Sequence, residues 1–244
     1  MKLIFIRHGE PDYSIDSLTE TGWKEARLAA ERVSQLDVKE FYVSPLGRAQ
    51  DTARCTLEKI GRTATTCDWM REFWPHIKRP DLKGKDCPIC WDFLPKDWTS
   101  EPRYYDVNTW ADTEVMREGH VKEAYEEMCQ GLDELLAGHG YVREENYYRA
   151  VKPNNDTICF FCHFGITCAM ISHLLHVSPM ILWHGFCAAP SSVTTIITEE
   201  REKGIASFRV NGFGDISHLY QAGQEPSFAA RFCECYDNTK ERHS

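Results

Sequence analysis

Long apolar runs are missing from the sequence, including from its beginning. Met1 and Lys2 precede an apolar run that covers only residues 3–6, which is shorter than the apolar region of a signal peptide. No later run approaches the roughly 20 residues that a membrane-spanning helix needs. We therefore expect a cytoplasmic protein without a membrane partner.

Basic residues are scarce relative to acidic ones. The chain has 28 Lys and Arg against 37 Asp and Glu, and its formal net charge is −9. This balance argues against a general nucleic-acid-binding surface, which requires clustered positive charge. An anionic substrate would therefore need a local basic pocket, and we expect no nucleic-acid partner.

Internal repeats and low-complexity tracts are absent as well. With 244 residues, 42% of them apolar and 27% charged, the composition is typical of a globular chain with a sizeable core. Eleven cysteines are present, and several lie within apolar runs, as Cys159, Cys162 and Cys168 do. In a cytosolic chain we expect such cysteines to be reduced and buried.

The most informative segment present is the beginning of the chain. Residues 3–6 suit a strand buried on both faces, and Arg7, His8 and Gly9 follow at the carboxyl end of that strand. Open α/β sheets bind ligands at this edge. An arginine matches a phosphate, a histidine can act as nucleophile, and a glycine allows close approach of the backbone. The segment therefore predicts phosphoryl transfer.

Apolar strands and helical spacing alternate along the rest of the chain. Strands are predicted at 41–43, 65–69, 157–162, 192–197 and 205–210, and helices at 23–36, 45–60, 121–136 and 165–175. Thr19 or Ser17 is the predicted cap of the first helix and Ser44 that of the second. Residues 74–117 show no clear period and are interpreted as a lid-like insertion. We predict a single α/β domain over 1–244, a three-layer sandwich with a mainly parallel central sheet flanked by helices.

Two later residues lie in similar phosphate-binding contexts. Arg48 stands near the start of the second helix, where a guanidinium and a helix amino terminus together favour an anion. His163 follows the predicted strand 157–162 and precedes a helix, as His8 follows the first strand. Since both strands are expected to be parallel, His8 and His163 should lie at the same edge of the sheet.

The order of these segments resembles the histidine phosphatase superfamily, which includes cofactor-dependent phosphoglycerate mutases and many phosphatases. The matching segments are Arg7-His8-Gly9-Glu10, Leu18-Thr19-Glu20-Thr21-Gly22, Ser44-Pro45-Leu46-Gly47-Arg48-Ala49-Gln50-Asp51-Thr52-Ala53, Arg71-Glu72, Cys162-His163-Phe164-Gly165 and Gly214-Asp215-Ile216-Ser217-His218-Leu219.

The resemblance implies a mechanism that the residue types support. His8 would attack phosphorus and become phosphohistidine, while Arg7, Arg48 and His163 hold the phosphoryl oxygens. The acid that protonates the leaving group maps by position onto Glu72, with Glu10 and Asp12 in reserve. Neither a cofactor nor a metal is expected in this site.

The sequence departs from the family pattern in two places. Many relatives have an asparagine six residues after the nucleophile, where this chain has Ser14, and Phe164 stands where the family often has a glycine. Ser14, Phe164 and Glu10 are the other expected substrate contacts. The segment after His8 does not resemble the mutase version, so we favour hydrolysis of a small phosphorylated metabolite. Mutase activity and a non-catalytic protein that binds phosphorylated ligands are the alternatives.

Two other patterns compete with this interpretation, and a third leaves the role of the insertion open. Cys159, Cys162 and His163 match the spacing of covalent haem attachment, but they lie in an apolar strand and without an export signal. Cys87 and Cys90 have half the spacing of a zinc site, which leaves a zinc-stabilised lid as an alternative. The insertion also offers cations and tryptophans that either grip a substrate or only anchor a solvated flap: His76, Lys78, Arg79, Lys83, Lys85, Trp91, Trp98 and Trp110.

Overall fold

The computed structural model describes residues 1–229 and 231–243. Its strands are β1 (Lys2–Arg7), β2 (Pro11–Asp12), β3 (Ser17–Leu18), β4 (Glu40–Val43), β5 (Thr65–Thr66), β6 (Ile77–Arg79), β7 (Lys85–Cys87), β8 (Tyr141–Glu144), β9 (Tyr147–Ala150), β10 (Thr157–Cys162), β11 (Val193–Glu202) and β12 (Ile205–Asp215). Its α-helices are α1 (Glu20–Val33), α2 (Gly47–Ile60), α3 (Pro95–Trp98), α4 (Glu114–Glu118), α5 (Val121–Gly138), α6 (Phe164–Leu175), α7 (Pro179–Gly185) and α8 (Ser217–Gln221).

Eight strands form the central sheet in the order β5-β4-β10-β1-β11-β12-β9-β8. The pairs from β5 to β1 are parallel, and the pairs from β1 to β8 are antiparallel. Only β11 and β9 therefore run against the other six strands. The predicted α/β fold with a mostly parallel central sheet is confirmed.

Alternation along the central strands creates two apolar layers. Leu3 and Phe5 of β1 belong to the larger core, whereas Ile4 and Ile6 belong to the smaller one. The larger core includes residues of α5, α6 and α7, and the smaller core includes residues of α1 and α2. Helices thus cover both faces of the sheet, which explains why β1 is apolar at every internal position.

The parallel pairing of β1 with β10 places the two histidines side by side. Arg7 is in register with Cys162, so His8 and His163 follow at the same edge of the sheet, as predicted. The backbone N–H of His8 donates to the Cys162 carbonyl at 3.0 Å.

Several predicted boundaries are wrong. The second helix begins at Gly47 with Leu46 at its N-cap position, because the Ser44 hydroxyl bonds to His163 instead of capping the helix. The third strand is only Thr65–Thr66, and a 3₁₀ turn, Asp68–Met70, follows it. The first helix begins at Glu20 and is capped by Thr19, one of its two predicted caps.

The insertion 74–117 is anchored in the larger core. It contains β6, β7, α3, α4 and the 3₁₀ turns Pro80–Leu82 and Pro102–Tyr105. Trp91 and Trp110 are buried, and both rings pack near Trp183 of α7. Arg79 is also buried, in an ion pair with Asp81. Arg79 and these two tryptophans therefore hold the insertion in place, whereas Lys78, Lys83 and Lys85 are exposed.

Candidate active site

His8 is fixed in an orientation that leaves one ring nitrogen free. Its Nδ1 lies 2.7 Å from the Gly9 carbonyl oxygen. A carbonyl oxygen only accepts hydrogen bonds, so Nδ1 must carry the hydrogen and Nε2 keeps its lone pair. Burial, followed by the charges of Arg7 and Arg48, lowers the pKa of His8 well below its ordinary value. The imidazole is therefore neutral at neutral pH, as a nucleophile must be.

Gly9 is required by the close contact between this strand end and α1. A Cβ on Gly9 would lie 2.5 Å from the carbonyl oxygen of Gly22. The Gly9 N–H donates to the Thr52 hydroxyl of α2 at 3.0 Å. The turn after His8 is therefore held between two helices.

His163 stands at the N-cap position of α6, and its hydrogen, like that of His8, is assigned to Nδ1. Its Nε2 lies 2.7 Å from the Ser44 hydroxyl, which itself accepts from the Leu46 N–H at 3.3 Å. Among the described residues, Nε2 is the only hydrogen-bond partner that can accept the hydroxyl hydrogen, so the hydroxyl donates to Nε2 and Nδ1 carries the hydrogen. Burial lowers the pKa of His163 well below its ordinary value, and the charges of His8, Arg48 and Arg7 add to this effect. The ring centroids of the two histidines are 5.1 Å apart.

Arg7 and Arg48 are the two buried cations around these histidines, with exposed fractions of 7% and 3%. The Nη1 atom of Arg7 donates to the Ala188 carbonyl, and that of Arg48 donates to Asp16 Oδ1 at 2.6 Å. The Nε atoms of both arginines are buried and have no hydrogen-bond partner among the described residues. Each guanidinium is thus oriented by one acceptor and keeps an unpaired donor.

Three unpaired buried donors therefore lie around His8. They are Arg7 Nε, Arg48 Nε and the hydrogen-bearing Nδ1 of His163. A buried donor without an acceptor costs about 1–3 kcal/mol, so these donors favour a bound acceptor, either water or an anion. A phosphoryl group offers three oxygen acceptors and a negative charge, which match these donors in number and polarity.

Asp16 and Ala188 were missed by the sequence reasoning. Asp16 holds a left-handed backbone conformation with φ of 47°, and its second carboxylate oxygen accepts from the Gly47 N–H at 2.7 Å. Asp16 is one of the few residue types that tolerate this conformation, but no motif marks it. Ala188 acts through its carbonyl, so its side chain gives no signal.

Glu72 lies against the first turn of α6. Its Oε1 accepts from the N–H groups of Phe73 at 2.8 Å and Ile166 at 2.9 Å, and its Oε2 accepts from Gly165 at 3.3 Å. Burial raises the pKa of Glu72 above its ordinary value, although these hydrogen bonds and Arg7 oppose the shift. Oε2 has the longest bond and is the oxygen best placed to carry a proton.

Gly165 leaves the space that Glu72 occupies. A Cβ at this position would lie 2.8 Å from Glu72 Oε1 and 2.7 Å from the Trp91 ring. The insertion and the carboxyl group thus meet at the amino terminus of α6.

The other expected substrate contacts, Phe164, Ser14 and Glu10, have different neighbours in the structure. The Phe164 ring lies 5.9 Å from the Arg7 guanidinium. Ser14 is exposed and its hydroxyl donates to Asp12 at 2.5 Å, whereas Glu10 accepts from the Thr19 hydroxyl at 2.6 Å. The structure therefore brings Phe164 to the pocket and pairs Ser14 and Glu10 with their own neighbours. Their contact with a substrate stays a prediction.

The competing patterns find no support in this geometry. Cys159 packs in the smaller core and Cys162 in the larger one, so their side chains lie on opposite faces of the sheet and cannot share one haem. In residues 1–229 and 231–243, no group of three or more His, Cys, Asp and Glu side chains is arranged to hold a metal ion. Within the same ranges, no helix combines the length and apolar character that crossing a membrane requires.

Residues 3–211 match the family model of the histidine phosphatase superfamily, branch 1. The chain belongs to this superfamily. A curated member, the 2,3-bisphosphoglycerate-dependent phosphoglycerate mutase of Thermoplasma acidophilum, is 36% identical over 73 residues. That match covers 26% of this chain and only 36% of the length of the mutase.

Solved structures of superfamily phosphatases share the fold over most of their length. A phosphoserine phosphatase of Entamoeba histolytica in complex with phosphoserine has a TM-score of 0.58 at 20% identity, covering 89% of this chain and 98% of that chain. A mycobacterial glucosyl-3-phosphoglycerate phosphatase has a TM-score of 0.56 at 17% identity, covering 87% and 98%. Membership of the superfamily supports an enzyme of the phosphatase or mutase type, and these neighbours show that the fold is shared.

Proposed function

We propose that this protein hydrolyses phosphomonoesters of small molecules through a phosphohistidine formed on Nε2 of His8. The observation that carries the proposal is the neutral His8, with its Nε2 lone pair free, beside the unpaired donors of Arg7, Arg48 and His163. Such a site offers a nucleophile and a phosphate cradle in one buried pocket.

The reaction then takes two steps. His8 Nε2 forms a bond to phosphorus, the bond from phosphorus to the ester oxygen breaks, and Glu72 gives its proton to the leaving oxygen. Water next attacks phosphorus, Glu72 takes a proton from that water, and the bond to Nε2 breaks to release phosphate. Arg7, Arg48 and His163 hold the phosphoryl oxygens in both steps, because charge develops there in the transition state.

Hydrolysis is favoured over mutase activity by the loop after His8. Many relatives have an asparagine at the position of Ser14, and the Ser14 hydroxyl bonds to Asp12 instead. The neighbours named above are phosphatases, whereas the mutase match covers about a quarter of this chain.

The proposal is tested by assaying phosphate release from p-nitrophenyl phosphate and from a panel of phosphorylated metabolites, beside interconversion of 2- and 3-phosphoglycerate. Phosphate release without interconversion is expected. Interconversion at the higher rate would establish the mutase alternative. Phosphate binding without any turnover would favour the non-catalytic alternative.

Replacing Glu72 by glutamine is expected to lower kcat/KM, which reports the phosphorylation step, by about 100-fold for alkyl phosphates and by less than about fivefold for p-nitrophenyl phosphate. An alkoxide is a poor leaving group and needs a proton, which general acids supply at a gain of about 10²–10⁴. The wild-type kcat/KM for an alkyl phosphate should also fall as pH rises through the raised pKa of Glu72, because the donor form exists only below that pKa. Steady-state kinetics on both substrates across pH measure these effects.

The matched control is Glu20→Gln, which changes an exposed carboxylate of α1 and should leave both rates unchanged. Equal losses of kcat/KM on the two substrates in Glu72→Gln would show that Glu72 is not the proton donor.

A further inference from the structure

Two exposed aromatic rings flank the arginine that is proposed to bind the phosphoryl group. The Arg48 guanidinium lies 5.4 Å from the centroid of the Tyr13 ring and 5.4 Å from that of Trp74. Tyr13 is 67% exposed and Trp74 is 39% exposed. Because the guanidinium covers only one face of each ring, both rings keep apolar surface open to a bound molecule.

Both rings are held at the pocket by their neighbours. Tyr13 begins the turn between β2 and β3, and Asp16 in the same turn binds Arg48 and the Gly47 N–H. Tyr13 also interacts electrostatically with Arg7, the second arginine of the pocket. Trp74 follows Phe73, which is buried and stacks on Trp183 with ring centroids 5.3 Å apart.

The position of Trp74 in the chain bears on where the leaving group binds. It lies two residues after Glu72, the group proposed to protonate the leaving oxygen. Because Glu72 must reach the leaving oxygen, we place the leaving group near this segment, where the Trp74 ring is exposed beside Arg48. A flat apolar group placed there can pack against Trp74 and Tyr13.

The carboxylate of Asp16, beside Arg48, also favours neutral leaving groups over anionic ones. Asp16 pairs with Arg48 and its side chain is 45% exposed. A second anionic group on the substrate would be repelled by this carboxylate, whereas a neutral ring would not.

From these contacts we infer that the preferred substrates are aryl phosphomonoesters, whose aromatic leaving group packs against Tyr13 and Trp74. The inference rests on the proposed function, since it assigns the leaving-group side of the same phosphate pocket. Aromatic contacts of this kind correspond to about a three- to tenfold gain in affinity.

The test compares phenylphosphonate with methylphosphonate, which carry the phosphoryl group but cannot be hydrolysed. Isothermal titration calorimetry on the full chain should give a dissociation constant about tenfold lower for phenylphosphonate. Tyr13→Ala and Trp74→Leu should each reduce this preference about threefold while leaving the affinity for methylphosphonate and inorganic phosphate within about twofold of wild type. Tyr13→Phe keeps the ring and should keep the preference.

The outcomes separate the inference from the proposed function. If the wild type binds inorganic phosphate but binds both phosphonates equally, the aryl preference is wrong and the phosphate pocket stands. If Tyr13→Ala and Trp74→Leu weaken the binding of all three ligands by the same factor, the two rings only position Arg48. That result would also overturn the inference. If the wild type binds none of the ligands, the phosphate pocket itself is wrong.

Discussion

Replacement of His8 by alanine is expected to lower kcat toward p-nitrophenyl phosphate by at least about four orders of magnitude. The change removes the only atom proposed to bond to phosphorus, and losses of this size are typical when a covalent nucleophile is deleted. Substrates with good and poor leaving groups should be affected alike, because both need the same attack. Phosphate release measured at high enzyme concentration provides the rate.

The same variant should still bind phosphate. Arg7, Arg48 and His163 keep their orienting partners, Ala188, Asp16 and Ser44, none of which involves the His8 ring. Calorimetric titration with inorganic phosphate therefore shows whether the pocket remains folded. His120→Asn is the matched control, because His120 is an exposed histidine with a positive φ that asparagine tolerates. Residual turnover of His8→Ala within tenfold of wild type would exclude His8 as the nucleophile.

Replacement of Arg48 by alanine is expected to reduce kcat/KM by about 100- to 1,000-fold. Removing one charged donor that stabilises developing charge in a buried site typically costs about 2.7–4 kcal/mol. Arg48 is 3% exposed, so water cannot readily replace its guanidinium. Its loss also leaves Asp16 without its ion-pair partner beside the phosphoryl group. Steady-state kinetics and inhibition by orthovanadate both report this change.

Arg48→Lys should recover only part of the loss, because an ammonium group lacks the planar fork that donates to Asp16 and to a phosphoryl oxygen together. Arg54→Ala is the matched control on the same helix. Arg54 is exposed, pairs with Asp51 and stacks on Trp23, so its replacement should leave kcat/KM unchanged. An Arg48→Ala enzyme as active as the Arg54→Ala enzyme would remove Arg48 from the site.

The residues whose side chains are proposed to attack or hold the phosphoryl group were predictable from the sequence. The apolar strand before His8 and the one before His163 fixed both residues at one sheet edge, and the register of β1 with β10 places them there. Arg48 was predictable because a helix start with an arginine is a recognised anion-binding pattern.

The residues that orient those side chains, Ser44, Asp16 and Ala188, were not predictable in this way. Ser44 was interpreted as a helix cap, which is the usual role of serine before a helix, yet its hydroxyl selects the tautomer of His163. Asp16 reaches Arg48 only because a turn folds back onto α2, and Ala188 reaches Arg7 through its backbone. Such contacts depend on tertiary packing between segments that are distant in the sequence, so no local pattern encodes them.

The roles of the tryptophans in the insertion 74–117 were also not predictable from the sequence. Tryptophans suggested either a substrate grip or an anchor, and composition alone favours neither. Trp91 and Trp110 are buried among core rings, whereas Trp74, at the start of the insertion, is exposed beside Arg48. The exposed fraction of each tryptophan, which the sequence did not predict here, distinguishes an anchor from a candidate substrate contact.

The central claim is that phosphorus bonds to Nε2 of His8 during turnover. The most direct measurement mixes enzyme with a ³²P-labelled aryl phosphate, quenches the mixture in alkali within milliseconds, and locates the label by mass spectrometry of peptides. We expect alkali-stable label on the peptide that contains His8, as the Nε2 isomer of phosphohistidine, and none in His8→Ala. Steady turnover without label on His8 at any quench time, or label on another residue, would contradict the claim.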